Sequence, residues 1–134
     1  EALQAARGAK ALFRELCNSR GEAEASLLEA DACLDEKCGN ADDALAAASS
    51  VSGDAHLEAW AQLRVGRAHL MKGCVPEALE VAELACAKFQ RLKRVDGEVT
   101  VLIEVSSPAY LQGQKLEKAV QSARKAKALS EEAG

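Results

Sequence analysis

One phrase occurs twice in this chain, and the repetition constrains the fold more than any other feature of the sequence. Residues 12–23 read LFRELCNSRGEA and residues 88–99 read KFQRLKRVDGEV, so that Phe13 and Phe89 are 76 positions apart. When residues 1–22 are laid over the segment that begins 76 positions later, ten positions are identical. A match of this kind at one fixed offset indicates an internal repeat, whose copies are expected to fold alike.

A shorter alanine pattern recurs between these copies. Each unit has alanines at i and i+4, an apolar residue at i+1, and another small or apolar residue at i+7, which together form one stripe of a helix. The alanine pairs are Ala2/Ala6, Ala44/Ala48, Ala78/Ala82 and Ala119/Ala123, and successive units are 42, 34 and 41 residues apart. A pair of helices with its two turns fills about this length.

The pattern predicts an all-α chain of seven antiparallel helices. Three glycines precede alanine stripes and are predicted to end helices in the left-handed conformation, and Pro76 fits the first turn of the helix that follows. Those glycines are Gly39, Gly73 and Gly113, and the other turns are placed at Gly21, Asp54 and Gly97. The predicted helices are 1–17, 21–36, 41–51, 55–72, 76–93, 97–112 and 115–132.

Residues 97–108, GEVTVLIEVSSP, conflict with this pattern. Their β-branched side chains favour a strand by propensity, but a single strand without a pairing partner would leave its backbone groups unsatisfied. The repeat register places a helix here, and Pro108 cannot donate a backbone hydrogen bond. We therefore expect a helix with a kink or break near Glu104–Pro108.

Composition and charge exclude several function classes. The net charge of −4 disfavours nucleic acid as a partner, and there is no apolar run long enough for a transmembrane segment. The five cysteines are irregularly spaced, which favours core thiols in a reducing, intracellular compartment over a disulfide framework. His69 is expected to be a satisfied core histidine, since neither it nor the one close cysteine pair, Cys33 and Cys38, has the further ligands of a zinc site. No cofactor, metal site or catalytic constellation is predicted, so an enzyme is not expected.

The segment VGRAHLMKGCVPEAL, residues 65–79, resembles the tetratricopeptide repeat, and FRELCNSRGEA resembles the junction of its roughly 40-residue variety. The resemblance implies one domain over residues 1–134, a right-handed α-solenoid of about three and a half helix-hairpin repeats. It also implies that the first helix of each pair lines a concave groove that binds peptides or subunits, without catalytic chemistry. The chain would either be part of a longer protein or have its ends covered by a partner.

The resemblance also implies which side chains line that groove. Because Trp dominates many interfaces, Trp60 would be the leading contact; the alternative is that it packs beneath the neighbouring hairpin. Lys, Asn and Arg do not stand where the carboxylate-gripping subset of the family has them, so binding of chaperone tails is not predicted. The groove positions are Glu24, Leu27, Asp31, Leu34 and Asp35, then Trp60, Leu63, Arg67, Leu70 and Met71, and finally Thr100, Ile103, Ser107, Tyr110 and Leu111.

The sequence thus predicts a protein–protein interaction module, an adaptor or scaffold that binds a partner peptide, helix or subunit through its groove. One alternative is an accessory subunit held permanently in a large assembly by its open ends. Another is an RNA-binding helical repeat, because VTVLIEV and GQKLEKA loosely resemble pentatricopeptide units. The acids of the first half and the basic residues of the second are either two partner surfaces or ordinary solvated faces.

Overall fold

The structure, a computed structural model, describes residues 2–35 and 40–133 and confirms an all-α fold, with no strand among those residues. Cys38, Gly39 and the predicted helix end at residue 36 lie outside the described residues. The α-helices are α1 (Ala2–Glu15), α2 (Ser19–Leu34), α3 (Ala41–Ser49), α4 (Ala55–Met71), α5 (Val75–Arg91), α6 (Val95–Val101), α7 (Ser107–Gln112) and α8 (Leu116–Ala133).

A π-helical turn, Leu102–Ser106, joins α6 to α7 in one continuous helical run, at the position where a kink was expected. The backbone N–H of Ser107 bonds to the carbonyl of Leu102, five residues earlier, instead of continuing the α-helical pattern. Because Pro108 lacks an N–H and its ring crowds the preceding turn, a widened turn accommodates it. The strand that propensity favours here does not form, since Val101 and Val105 are fully buried in a helical core.

Ion pairs give the directions of the first helices. Arg14 at the end of α1 contacts Glu22 near the start of α2, and Arg7, earlier in α1, contacts Glu29, later in α2, so these two helices are antiparallel. The start of α2 contacts the start of α4 through Arg20 and Asp54, and the two helices meet again through Asp31 and Arg64. Helices α2 and α4 therefore run side by side in the same direction, and α4 also contacts α6 and the π-helical turn.

The repeated phrase folds into a repeated turn. Cys17 and Lys93, which are 76 residues apart, both have positive φ, at 53° and 55°. A backbone N–H reaches back across each turn to the carbonyl of Phe13 or Phe89, over 2.8 and 2.9 Å. This is the hydrogen-bond pattern of a Schellman helix end, here with a non-glycine residue in the left-handed position.

The conserved spacing between phenylalanine and glycine has a packing cause within each copy. A Cβ added to Gly21 would overlap the ring of Phe13, and one added to Gly97 would overlap the ring of Phe89. The predicted helices begin at these two glycines, whereas α2 begins at Ser19 and α6 at Val95, so each glycine lies two residues inside its helix. Because glycine has no side chain, the aromatic ring of the preceding helix can lie against the backbone of the helix that follows.

The predicted glycine helix ends have mixed outcomes. Gly73 has φ +76° and ends α4 as expected. Gly113 was wrongly assigned, because its φ is −79° and the left-handed residue is Gln114, at φ 59°. The N–H of Lys115 bonds to the carbonyl of Tyr110 over 2.8 Å, which places the left-handed residue one position later than the glycine.

Alanine stripes form the centre of the core. Ala78, Ala82 and Ala85 are at most 3% exposed, and they belong to the same core cluster as Phe89, which is fully buried. Gly66 lets α4 approach the π-helical turn, since a Cβ there would lie 2.9 Å from Val105 Cγ1. The same stripe is open at the ends of the described fold, where Ala2 and Ala123 are exposed.

Candidate partner-binding surface

The outward side chains of α2, α4 and the α6–α7 run are called here the first-helix face. The N-caps of these helices are Asn18, Asp54 and Arg94, and counting from them gives equivalent positions. Asn18 and Asp54 fix two of these starts by accepting backbone N–H groups of the first turn. Equivalent sets are Glu24, Trp60 and Thr100; Asp31, Arg67 and Ser107; and Asp35, Met71 and Leu111.

Asp31 and two arginines of α4 form the charged centre of this face. The Asp31 carboxylate accepts hydrogen bonds from Nε and Nη2 of Arg64, both over 3.0 Å. Arg64 also donates to the backbone carbonyl of Trp60 over 3.0 Å. Arg67 lies 4.0 Å from Asp31, beyond hydrogen-bond distance, and its side chain is 37% exposed. Asp31 is therefore already bound within the chain, whereas the Arg67 side chain remains partly exposed.

Trp60 is half-buried, so it combines the two roles that the sequence allowed, packing against the neighbouring hairpin and partial exposure on the first-helix face. Its ring meets the ring of Phe89 edge to face, with centroids 4.9 Å apart and an interplanar angle of 67°. The guanidinium of Arg64 lies 5.9 Å from the centre of the indole. Trp60 packs against two core clusters and is still partly exposed, so it serves the fold and remains accessible in part.

Leu63 and Ile103 occupy equivalent positions but have opposite environments. Leu63 is 4% exposed and packs against Val101 and Val105, so its side chain is part of the core rather than of the first-helix face. Ile103 is 55% exposed and borders an open cavity of about 500 Å³ with Val99 and Ala123. The difference arises because α6 lies beside α4, whereas the described chain has no further first helix beside α6.

The remaining predicted site residues are spread over the molecule. Met71 is 43% exposed at the end of α4, four residues after Arg67 on the same side of the helix. Thr100 is half-buried and donates its hydroxyl to the Asp96 carbonyl over 2.8 Å. Tyr110 lies between α5 and α8, with Lys118 Nζ 6.0 Å from its ring centre, and is therefore remote from the Asp31 cluster.

Two residues of this face were absent from the predicted groove. Arg64 holds Asp31, and Leu28, at the equivalent position of α2, is 60% exposed. Leu28 directly follows Leu27, and Arg64 directly follows Leu63. Both of these preceding leucines were predicted to line the groove, and both are buried. Because one residue turns a helix by about 100°, a shift of one position separates core from surface. The polar side chain of Arg64 was the feature of the sequence that could have indicated that this position faces the surface.

The cysteines and His69 were expected to lie in the core, but their burial in the structure varies. Cys33 is buried, Cys86 is half-buried and Cys17 is exposed, so the expectation of core thiols holds only in part. Burial raises the pKa of the Cys86 thiol to about 11, with a further contribution from Glu98. His69 is half-buried, and its Nδ1 has no hydrogen-bond partner among the described residues, which differs from the expectation of a satisfied histidine. Within residues 2–35 and 40–133, no group of three His, Cys, Asp or Glu is arranged for a metal.

The basic side chains of the second half make several local pairs. Arg94 pairs with Asp96 over 2.8 Å, and Lys125 lies 3.8 Å from Glu98. In the first half, the carboxylates of Glu22 and Glu29 accept hydrogen bonds from Arg14 and Arg7, and Asp31 accepts them from Arg64. Local pairing of this kind is typical of solvated helix faces.

Among the described helices, none combines the length and the apolar character that crossing a bilayer requires. No family model, curated protein or solved structure matches the chain.

Proposed function

We propose that this chain is a protein-binding adaptor or scaffold module, a right-handed α-solenoid of the tetratricopeptide type, and that its first-helix face holds a partner peptide or helix. The stacking of α2, α4 and α6 side by side supports the solenoid. The repeated helix end at Cys17 and Lys93 supports it as well, because solenoids are built from units of equal geometry.

The environment of Arg67 is the observation that carries the proposal. Arg64 already occupies both oxygens of Asp31, so Arg67 is left with a 4.0 Å contact and a side chain that is 37% exposed. Exposed apolar side chains lie near it in sequence and register, at Met71 on α4 and Leu28 on α2. A guanidinium beside apolar surface is suited to a partner segment that carries a carboxylate next to an apolar side chain.

Charge-reversing and polar substitutions on this face test the proposal. Arg67→Glu and Met71→Asp are expected to reduce binding of the cellular partner by about tenfold or more, because they remove a charge contact and an apolar contact. Controls lie on α5, where Arg91→Glu and Leu84→Asp introduce the same charge reversal and the same new carboxylate at exposed residues.

The measurement is quantitative affinity purification of the full chain from the source cells, with circular dichroism as the check on folding. Loss of the same recovered protein in both face variants, with the α5 variants unchanged, supports the first-helix face. Equal recovery by all four folded variants contradicts the proposal.

A further inference from the structure

Three glutamates occupy equivalent positions in the first turns of α2, α4 and α6. They are Glu22, Glu58 and Glu98, each at the same distance after the N-cap of its helix. Arg14 donates to Glu22 over 2.6 Å, and Gln90 donates to Glu98 over 2.8 Å. Both donors lie in the last turns of the preceding helix, eight residues before their glutamate. The repeat therefore supplies a donor to each of these two carboxylates.

Glu58, the middle member of the set, lacks such a donor. The residue at the donor position is Ser50, whose short side chain donates instead to the carbonyl of Ala47 over 2.7 Å. Glu58 is half-buried, and no described residue makes a hydrogen bond or an ion pair with its carboxylate. Because partial burial removes water from a charge, a carboxylate in this position gains from a donor outside the chain.

A cavity of about 400 Å³ lies beside Glu58, between α3, α4 and α5, and is called here the middle cavity. Lys88 of α5 lines it as well, is half-buried, and has no ion-pair partner among the described residues. Glu58 and Lys88 thus share one cavity without forming an ion pair with each other. The apolar part of the lining consists of Ala48, Val51, Ala61, Val65 and Val81.

Gln62 adds an amide to the middle cavity, one turn after Glu58 on the same side of α4. Its Oε1 is buried and has no hydrogen-bond partner among the described residues. Rotation of the terminal amide can turn this oxygen toward the cavity without breaking a hydrogen bond to the described chain. An amide oxygen next to a carboxylate is suited to an ammonium group, which donates several hydrogen bonds.

We propose that the middle cavity binds a small zwitterion of the amino acid class, with its ammonium group on Glu58 and Gln62 and its carboxylate on Lys88. A ligand with a single charge would leave either Glu58 or Lys88 unpaired, whereas a zwitterion pairs both. The valines and alanines of the lining contact an apolar side chain of the ligand. The volume lies near the lower end of the range for small-molecule pockets, which matches a free amino acid or a dipeptide.

The middle cavity is separate from the first-helix face and from the two ends of the chain. Neither α1 nor α8 contributes a residue to its lining. Because one residue turns a helix by about 100°, Glu58, Gln62 and Val65 lie on the side of α4 away from Arg64 and Arg67. The site therefore goes beyond the proposed function and does not depend on it.

Isothermal titration calorimetry of the full chain with L-leucine, and separately with the dipeptide L-alanyl-L-leucine, tests the proposal. The dipeptide carries the same two charges farther apart. We expect saturable binding of at least one of them at concentrations up to about 10 mM. Glu58→Gln and Lys88→Gln should each weaken it by about tenfold or more, because each removes a charged hydrogen-bond partner. Glu77→Gln and Arg91→Gln remove the same charges from exposed positions of α5 outside the cavity, and should leave it unchanged.

Blocked forms of the ligand that binds show which group meets which residue. The C-terminal amide lacks the carboxylate, so it should bind more weakly, and Lys88→Gln should cause no further loss. The N-acetyl form lacks the ammonium group, so Glu58→Gln should cause no further loss. Circular dichroism checks that each variant is folded. Absence of saturable binding of both probes, or equal affinity for the wild type and the two cavity variants, would overturn the proposal.

Discussion

The ring of Phe89 lies against the backbone of Gly97, in the space that a Cβ at that position would occupy. Phe89 is fully buried between α4 and α6, so its ring has no free space into which it can move. Gly97→Ala is therefore expected to lower the free energy of unfolding by about 2–3 kcal/mol, through overpacking. Urea denaturation followed by circular dichroism measures the loss.

Two other glycines provide matched controls for this substitution. Phe13 is half-exposed and can turn away from a methyl group on Gly21, so Gly21→Ala should change stability by less than about 1 kcal/mol. Gly8 has open space around it in the middle of α1, so Gly8→Ala should stabilise the chain by about 0.5–1 kcal/mol. Equal losses at Gly21 and Gly97 would contradict the difference in packing between the two copies.

The two hydrogen bonds between Arg64 and Asp31 are expected to stabilise the folded chain measurably. The Arg64 side chain is only 17% exposed, and its guanidinium binds both carboxylate oxygens. A double-mutant cycle with Arg64→Ala and Asp31→Ala is expected to give a coupling of about 1 kcal/mol. Arg64→Lys should recover little of it, since a lysine cannot bind both oxygens in the same plane. A coupling indistinguishable from zero would contradict the role assigned to this pair.

Acid should weaken the N-cap of α4. Asp54 accepts hydrogen bonds from the backbone N–H groups of Leu57 and His56, and these bonds hold its pKa below the usual value for aspartate. Because the folded pKa is the lower one, the unfolded chain takes up the proton first, and stability falls as the pH drops below about 4. Asp54→Asn keeps a capping oxygen without a titrating group.

The urea midpoints of the wild type and the Asp54→Asn chain, measured between pH 7 and pH 2, test this account. The wild type should be the more stable at neutral pH, and the two curves should converge at low pH. The pKa values of Glu29 and Asp96 are also lowered, and these two groups add the same pH dependence of stability to both chains. A constant difference across the whole pH range would contradict the role of Asp54.

Thiol labelling should separate the exposed and buried cysteines. Cys17 is exposed in the turn after α1, whereas Cys86 is half-buried and its pKa is raised to about 11. At pH 8 the thiolate, which is the reacting form, is scarce at Cys86. Iodoacetamide should therefore modify Cys17 well before Cys86, as peptide mass spectrometry can follow. Modification of Cys86 at the same rate would contradict the burial of its thiol.

The sequence alone predicted the all-α fold because the duplicated phrase and the alanine spacing are properties of regular helices. It predicted the interruption before Pro108 because a missing N–H acts locally. The roles of Gly21 and Gly97 could not be predicted in the same way. Both were placed at helix starts from the sequence, and only the position of the phenylalanine rings in the structure reveals that a side chain at either glycine would overlap an aromatic ring.

The candidate surface was harder to predict than the fold. Leu63 and Arg64 are neighbours in sequence, and which of them faces the core depends on the exact rotation of α4 against α6. Ile103 has the same repeat position as Leu63, but its exposure depends on which helix lies alongside it. These are properties of packing between helices, and no local sequence pattern specifies them.

Site-specific photo-crosslinking tests the central claim, that the first-helix face holds another protein, most directly. A benzophenone amino acid is placed at Met71 in one chain and at Leu84 in another, since both side chains are exposed and apolar. The account predicts that the chain with the label at Met71 crosslinks to one partner in the source cells, that Arg67→Glu abolishes the crosslink, and that the label at Leu84 gives none. Crosslinking from Leu84 but not from Met71 would contradict it.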